Sequence, residues 1–122
     1  MTDWVLPTPL QWQLVKADLD PVEGSEQAGD RPCLIVSREE INGFLPTVTV
    51  LPVTTLKPGR RPYPSEVLLP AGLAGNPNPS LIMAQQVRTI DKRRFYYSYG
   101  WLRDETCREK VRQVIRMYFE LD

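Results

Sequence analysis

The sequence predicts a mainly β (α+β) domain, a small curled β-barrel of short strands closed off by one C-terminal amphipathic helix. Three observations carry this. Short segments rich in β-branched, aromatic and aliphatic residues alternate with turn-forming residues. Twelve prolines are scattered through the chain, a pattern that punctuates strands but breaks helices. Only the last stretch carries apolar residues at helical spacing.

Taken in chain order, residues 1–10 read as a loosely held N-terminal arm ahead of a domain spanning 11–122. The expected strands are Trp12–Ala17, Cys33–Ser37, Val48–Val53, Glu66–Leu69, Leu81–Gln86 and Phe95–Trp101. Between them fall Glu23-Gly24-Ser25, Ala28-Gly29-Asp30, Asn42-Gly43, Pro58-Gly59 and the Gly- and Pro-rich stretch 71–80, all turn or loop chemistry. At the end, Asp104 is a good N-cap, and Cys107, Val111, Val114, Ile115 and Tyr118 recur at i, i+4, i+7, i+8 and i+11. Arg108, Glu109, Lys110, Arg112, Gln113 and Arg116 make the opposite face, whose mixed charge reads as a solvated surface and not as a nucleic-acid stripe.

Composition sets limits on chemistry. With 122 residues the chain suits one compact domain, and 42% apolar with 25% charged residues is ordinary for a globular protein. No apolar run approaches the ~20 residues of a membrane span, and the start lacks the basic and apolar regions of a signal peptide, so a cytoplasmic location and no membrane partner are expected. Cys33 and Cys107 lie far apart and read as buried, inert thiols. With no histidine and no clustered cysteines, neither a metal nor another cofactor is expected. The same absence removes the usual proton shuttle near neutrality, leaving Arg, Lys, Glu, Asp, Tyr, a thiol or water. Fifteen basic residues balance fifteen acidic ones, so any attraction for a polyanion must be local.

Local candidates exist. The loop 21–32 packs Ser25, Glu26, Gln27 and Arg31 into one polar connection. Arg31 sits where the loop becomes a strand, and Pro32 biases it toward extended geometry. Its planar fork suits two phosphate oxygens, although an ion pair with Glu26 or Asp30 is the commoner use of such a residue. Thr54-Thr55 places hydroxyls at a strand end, where threonine also simply favours strands. The loop 56–64 carries Lys57, Arg60 and Arg61, able to track a phosphate backbone or to act as a solvated hinge. Gln85 to Thr89 reads as a continued strand presenting Gln86 and Arg88, with Lys92, Arg93 and Arg94 supplying further charge. The aromatics of Phe95–Trp101 are read mostly as core, since alternation buries about half of them.

Several islands together resemble a known family. They are Asp18-Leu19-Asp20-Pro21, Gly24-Ser25-Glu26-Gln27 with Gly29, Arg31 and Pro32, Asn42-Gly43, Leu51-Pro52-Val53-Thr54, Glu66-Val67 after Tyr63-Pro64, and the run from Gln86 to Arg93. In this order they are similar to the MazF/PemK toxins of bacterial toxin-antitoxin systems, over nearly the whole chain. The resemblance implies an SH3-like curled barrel that forms a homodimer, cuts single-stranded RNA at short motifs without a metal, and is inhibited by a protein antitoxin. It also implies 2′,3′-cyclic phosphate and 5′-hydroxyl products. Carried over residue by residue, it makes Arg31 and Thr54 catalytic, with Glu26 the candidate base. Ser25, Gln27, Lys57, Arg60, Gln86 and Arg88 become RNA-binding. One departure is that the family opens with a Gly-Asp or Gly-Glu pair before its first strand, where this chain has Trp12-Gln13. Two alternatives stand beside this reading: a toxin of similar barrel fold that poisons a DNA topoisomerase without nuclease chemistry, and an inactive barrel that binds RNA or an antitoxin-like regulator.

Overall fold

The computed structural model describes residues 5–122. Seven strands run β1 (Gln13–Asp18), β2 (Asp30–Ile35), β3 (Thr47–Thr55), β4 (Glu66–Leu69), β5 (Ser80–Met83), β6 (Arg88–Asp91) and β7 (Phe95–Trp101). A four-residue helix α1 (Glu39–Asn42) precedes β3, and α2 (Glu105–Phe119) ends the fold. The strands form one antiparallel sheet in the order β4-β5-β3-β2-β1-β7, with β6 also pairing β3.

The expected barrel is a curled sheet that does not close by hydrogen bonds. Its two ends, β4 and β7, are brought together by the loop after β4. A Cβ on Gly75 would lie 2.2 Å from the Tyr99 carbonyl oxygen of β7, and Gly75 has φ +84°. Only glycine fits that approach.

Alternation splits the strand residues between two cores. Leu14, Leu34, Leu51 and Val53 join Leu102, Cys107 and Val111 in one cluster. Their neighbours Val15, Cys33, Ile35, Val48 and Val50 join Ile90 and Phe95 in the other. Strands β1 to β3 are therefore buried on both faces, which explains their nearly continuous apolar runs. Pro32 and Pro52 are tolerated inside this sheet because each sits where one of its two flanking ladders is interrupted.

Several expectations change; β2 begins three residues earlier and ends two earlier than expected, and β3 extends to Thr55. The arm is not loose over its described part: Leu6 and Leu10 pack on the second core, Pro9 accepts from Trp101 Nε1 at 2.8 Å, and Glu39 accepts from the Leu10 and Gln11 amides. Residues 1–4 lie outside the described residues. The strand expected over Leu81–Gln86 stops at Met83, and a 3₁₀ turn, Ala84–Gln86, separates it from β6. That break lets one edge of β3 take β6 along Thr47–Val50 and β5 along Val53–Thr55. Asp104 caps α2 as expected, accepting from the Cys107 amide at 2.8 Å, but the buried stripe fades after Ile115 and Tyr118 is 45% exposed. The helix rests on the four-residue β4 and the 3₁₀ turn, too short a platform for its last turn.

The departure at Trp12 also has a physical form. Trp12 takes φ +69°, the left-handed region that glycine enters freely, at a cost on the order of 1–2 kcal/mol for an L residue. Its ring is buried, with the guanidinium groups of Arg108 and Arg112 at 5.2 and 5.3 Å from the ring centre. Packing and cation–π contact, worth ~0.5–2 kcal/mol each, offset the strain. Strand β1 accordingly begins one residue later than expected, at Gln13.

Candidate active site

The register of β2 and β3 sets the chemistry. Cys33 faces Pro52 across the antiparallel ladder, and continuing two residues outward puts Arg31 opposite Thr54. Residues 23 positions apart thus meet where the two strands leave the core. Arg31 donates from Nε to the Ala28 carbonyl at 3.1 Å and from Nη1 to Thr54 Oγ1 at 3.4 Å. Neither Glu26 nor Asp30 forms an ion pair with it, so the more commonplace use of this arginine is not the one observed. The guanidinium is aimed by a carbonyl and a hydroxyl, neither of which neutralises it.

Arg31 and Thr54 line a cleft of ≈ 300 Å³ together with Lys16 of β1, Asp30 and Pro32 of β2, Val53 and Thr55 of β3, Asn76 to Asn78 from the β4–β5 connection, Ser80 of β5 and Tyr99 of β7. Two cations face one carboxylate, Asp30. This is the local positive charge that the neutral whole chain requires of a polyanion site. Asn76, buried, shapes its wall by donating to the Leu69, Pro70 and Asn78 carbonyls and accepting from the Ala74 amide. Cys33 lies one residue beyond Pro32 on the buried side. Burial pushes its thiol from 9.0 up to about 12, against the pull of Arg88 and Arg31. It is free and protonated at neutral pH, as is the buried Cys107, so neither is a nucleophile.

The loop between β1 and β2 is held from outside. Its base closes through Leu19 N to Gly29 O and Gly29 N to the Asp20 carboxylate, both 3.0 Å. Gln86 clamps its tip, donating from Nε2 to Ser25 O at 3.1 Å and accepting at Oε1 from the Gln27 amide at 3.3 Å. Arg88 donates to Leu19 O, and Arg94 to the Asp18 and Asp20 carbonyls. Three side chains, from the 3₁₀ turn before β6, from β6 and from the turn before β7, therefore fix the segment that presents Arg31.

These contacts redistribute the sequence-derived roles. Arg31 and Thr54 are brought together as expected. Glu26 does not line their cleft: it is exposed and accepts from the Glu23 amide at 2.9 Å, steadying the turn. Gln86 and Arg88, both half-buried, bond the loop backbone. Ser25 is exposed at the loop tip, while Gln27 has a buried Oε1 with no partner. Lys57 is exposed on the β3–β4 loop. Arg60 is committed elsewhere, paired with the buried Glu66 carboxylate at 3.0 Å and lying 4.4 Å from the Tyr63 ring centre. Burial would raise the Glu66 carboxyl, but Arg60, the Tyr63 amide and Gln85 hold it below its ordinary range.

Sequence reasoning missed Lys16, Asp30, Asn78 and Tyr99 as members of the cleft. Lys16 had a signal, a lone charge in the middle of the apolar run Leu14-Val15-Lys16-Ala17. Asp30 had its adjacency to Arg31, while Asn78 and Tyr99 had none, because they reach the cleft only through the curl of the sheet.

Fold and cleft together define a small β protein with a fixed arginine, a lysine and a strand-end hydroxyl gathered in one cleft. Residues 10–119 match the model of the PemK-like, MazF-like toxins of type II toxin-antitoxin systems. The chain belongs to that family. It is 36% identical over 105 residues to endoribonuclease EndoA of Bacillus subtilis (strain 168), covering 86% of this chain and 89% of that one. The crystal structure of MazF (Form-I) from Deinococcus radiodurans superposes with a TM-score of 0.77 at 29% identity, over 93% of this chain and 97% of that one. An endoribonuclease from a mycobacterial species, solved in complex with its cognate antitoxin, shares the fold with a TM-score of 0.75 at 23% identity, over 94% and 98% of the two chains.

Proposed function

We propose that Arg31 and Thr54 carry the phosphodiester chemistry of this endoribonuclease toxin, which cuts single-stranded RNA at short sequence motifs without a metal. The observation that supports this most directly is the Arg31 guanidinium itself, fixed by Ala28 O and Thr54 Oγ1, unpaired with any described carboxylate and lining a cleft with Lys16. A 2′-hydroxyl attacks the adjacent phosphorus, the bond from phosphorus to the 5′ oxygen breaks, and the products are a 2′,3′-cyclic phosphate and a 5′-hydroxyl. Arg31 neutralises the charge that grows on the non-bridging oxygens, and Thr54 donates to one of them. A preorganised donor of this type is worth on the order of 10²- to 10³-fold in rate.

The proton acceptor for the 2′-hydroxyl moves from Glu26 to Asp30, the one carboxylate that lines the cleft. Solvent, which reaches the exposed Asp30 rim, protonates the leaving 5′ oxygen. Gln86 and Arg88 act as positioning residues for the β1–β2 loop, and the exposed Ser25 and Lys57, with Gln27, keep the RNA-binding role outside the cleft. Family membership and an RNA substrate support a cytoplasmic location; no helix among the described residues is long and apolar enough to cross a membrane. The partners that the family supports are a protein antitoxin laid along the RNA groove and a second copy of the chain. Exposed apolar side chains such as Phe44, 85% exposed, are consistent with protein partners.

The test is incubation of the purified protein with a long single-stranded RNA in excess EDTA, beside Arg31→Ala. Discrete cuts with 5′-hydroxyl ends, slowed at least about 100-fold in the variant, are the expected result. A folded parent that leaves the RNA intact would move the assignment to a binding-only toxin.

A further inference from the structure

Next to the arginine–threonine cleft lies a second hollow of ≈ 360 Å³ lined by Lys16, Tyr96, Tyr97 and Tyr99. It shares Lys16 and Tyr99 with the first. In a regular strand Tyr96 would point away from Tyr97 and Tyr99. Two register slips between β1 and β7 change that. Leu14 faces Gly100 but Val15 faces Ser98, leaving Tyr99 as an extra residue, and Lys16 faces Tyr97 but Ala17 faces Phe95, leaving Tyr96 extra. Such bulges re-aim side chains and are common beside active sites. Phe95 is consequently buried, while Tyr96 and Tyr97 are 43% and 52% exposed.

The hollow has the elements of a nucleotide site. The Tyr97 and Tyr99 rings meet edge to face, 5.0 Å between centres, giving a fixed aromatic wall. Lys16 sits opposite Tyr97 in the ladder and pairs with no described carboxylate, so an ammonium stands between this wall and the arginine cleft. Aromatic faces beside an unpaired cation are the means by which single strands are bound, the base by stacking and the phosphate by charge.

We propose that this hollow is a base-stacking subsite for a nucleotide adjoining the scissile phosphate, its base lying on Tyr97 and Lys16 bridging the phosphates of the two hollows. The proposal rests on the endoribonuclease reading. It makes Tyr97 a determinant of which base flanks the cut.

The experiment is a cycle between protein and RNA. The parent, Tyr97→Ala and Tyr97→Phe are assayed on an oligoribonucleotide with one mapped cut site, intact or carrying an abasic residue at each flanking position in turn. Binding of the same oligonucleotides, blocked by a 2′-deoxy residue at the cut, is read by fluorescence anisotropy. Stacking on one aromatic ring corresponds to roughly 5- to 150-fold in affinity. Tyr97→Ala should lose that much kcat/KM and affinity on intact RNA, with Tyr97→Phe retaining nearly all of it. The parent should lose a similar factor at one abasic position, and Tyr97→Ala nothing further there. Losses that multiply, or an alanine variant equal to the parent, would overturn the subsite. A Tyr97→Ala protein that changes from dimer to monomer in sedimentation would assign this face to a second copy instead. A parent that binds but does not cut fails the nuclease reading alone, since the binding cycle still decides the subsite.

Discussion

Replacing Gln86 by alanine separates positioning from direct RNA contact. The side chain holds the β1–β2 loop by two bonds, Nε2 to Ser25 O at 3.1 Å and the Gln27 amide to Oε1 at 3.3 Å. Each is partly exposed and worth about 0.5–1 kcal/mol net. Their loss leaves the base of the loop closed through Leu19, Asp20 and Gly29, and leaves Arg88 on Leu19 O. The tip of the loop should therefore loosen by about 1–2 kcal/mol, roughly 5- to 30-fold in its closed-to-open ratio, while global stability falls by no more than that amount. Two readouts follow. Amide exchange at Gln27 should accelerate by the same factor in the absence of RNA, and cleavage should slow by a comparable factor. A variant with unchanged exchange at Gln27 but weakened RNA binding would refute the reasoning, because Gln86 would then be touching the substrate and not the loop.

Three further outcomes follow from the same structure. Asp30→Asn should slow cleavage by about 10²-fold or more as a lost general base, whereas Glu26→Gln, exposed and outside the cleft, should stay within about threefold of the parent; single-turnover rates on one oligonucleotide decide between them. Arg60→Ala strands the buried Glu66 carboxylate and should cost on the order of 1–3 kcal/mol by denaturant titration at pH 7. Because the Glu66 carboxyl is held below its ordinary range, its ion pair contributes stability above the unfolded-state value near 4.3 that is lost as pH falls through the folded one. The stability gap between parent and Arg60→Ala should accordingly narrow on acidification, and a gap independent of pH would contradict the pairing.

Much of the design was legible from local pattern. The strands β4 and β7 fall where alternation and turn residues place them, and α2 begins at the cap that Asp104 announces, because caps, turns and period-two burial are decided within a few residues. Arg31 and Thr54 were recognisable as a pair through the motifs around them, and the ladder register makes them neighbours.

Other features were decided only by tertiary structure. The 3₁₀ break at Ala84–Gln86 exists because one edge of β3 serves two partners, and nothing in the residues from Leu81 to Thr89 encodes that demand by itself. The roles of Gln86, Arg88 and Arg60 could not be read from their polar side chains, since a donor aimed at RNA and a donor aimed at a carbonyl have the same sequence signature. Three tyrosines share one hollow because two bulges shift β7 against β1, which alternation along a single strand cannot foresee. The chain alone thus determined most of the elements and the motifs by which the family is recognised, because those depend on residues close in sequence. Which side chains line the cleft depended on register and curl, which are settled only when distant strands compete for the same edges.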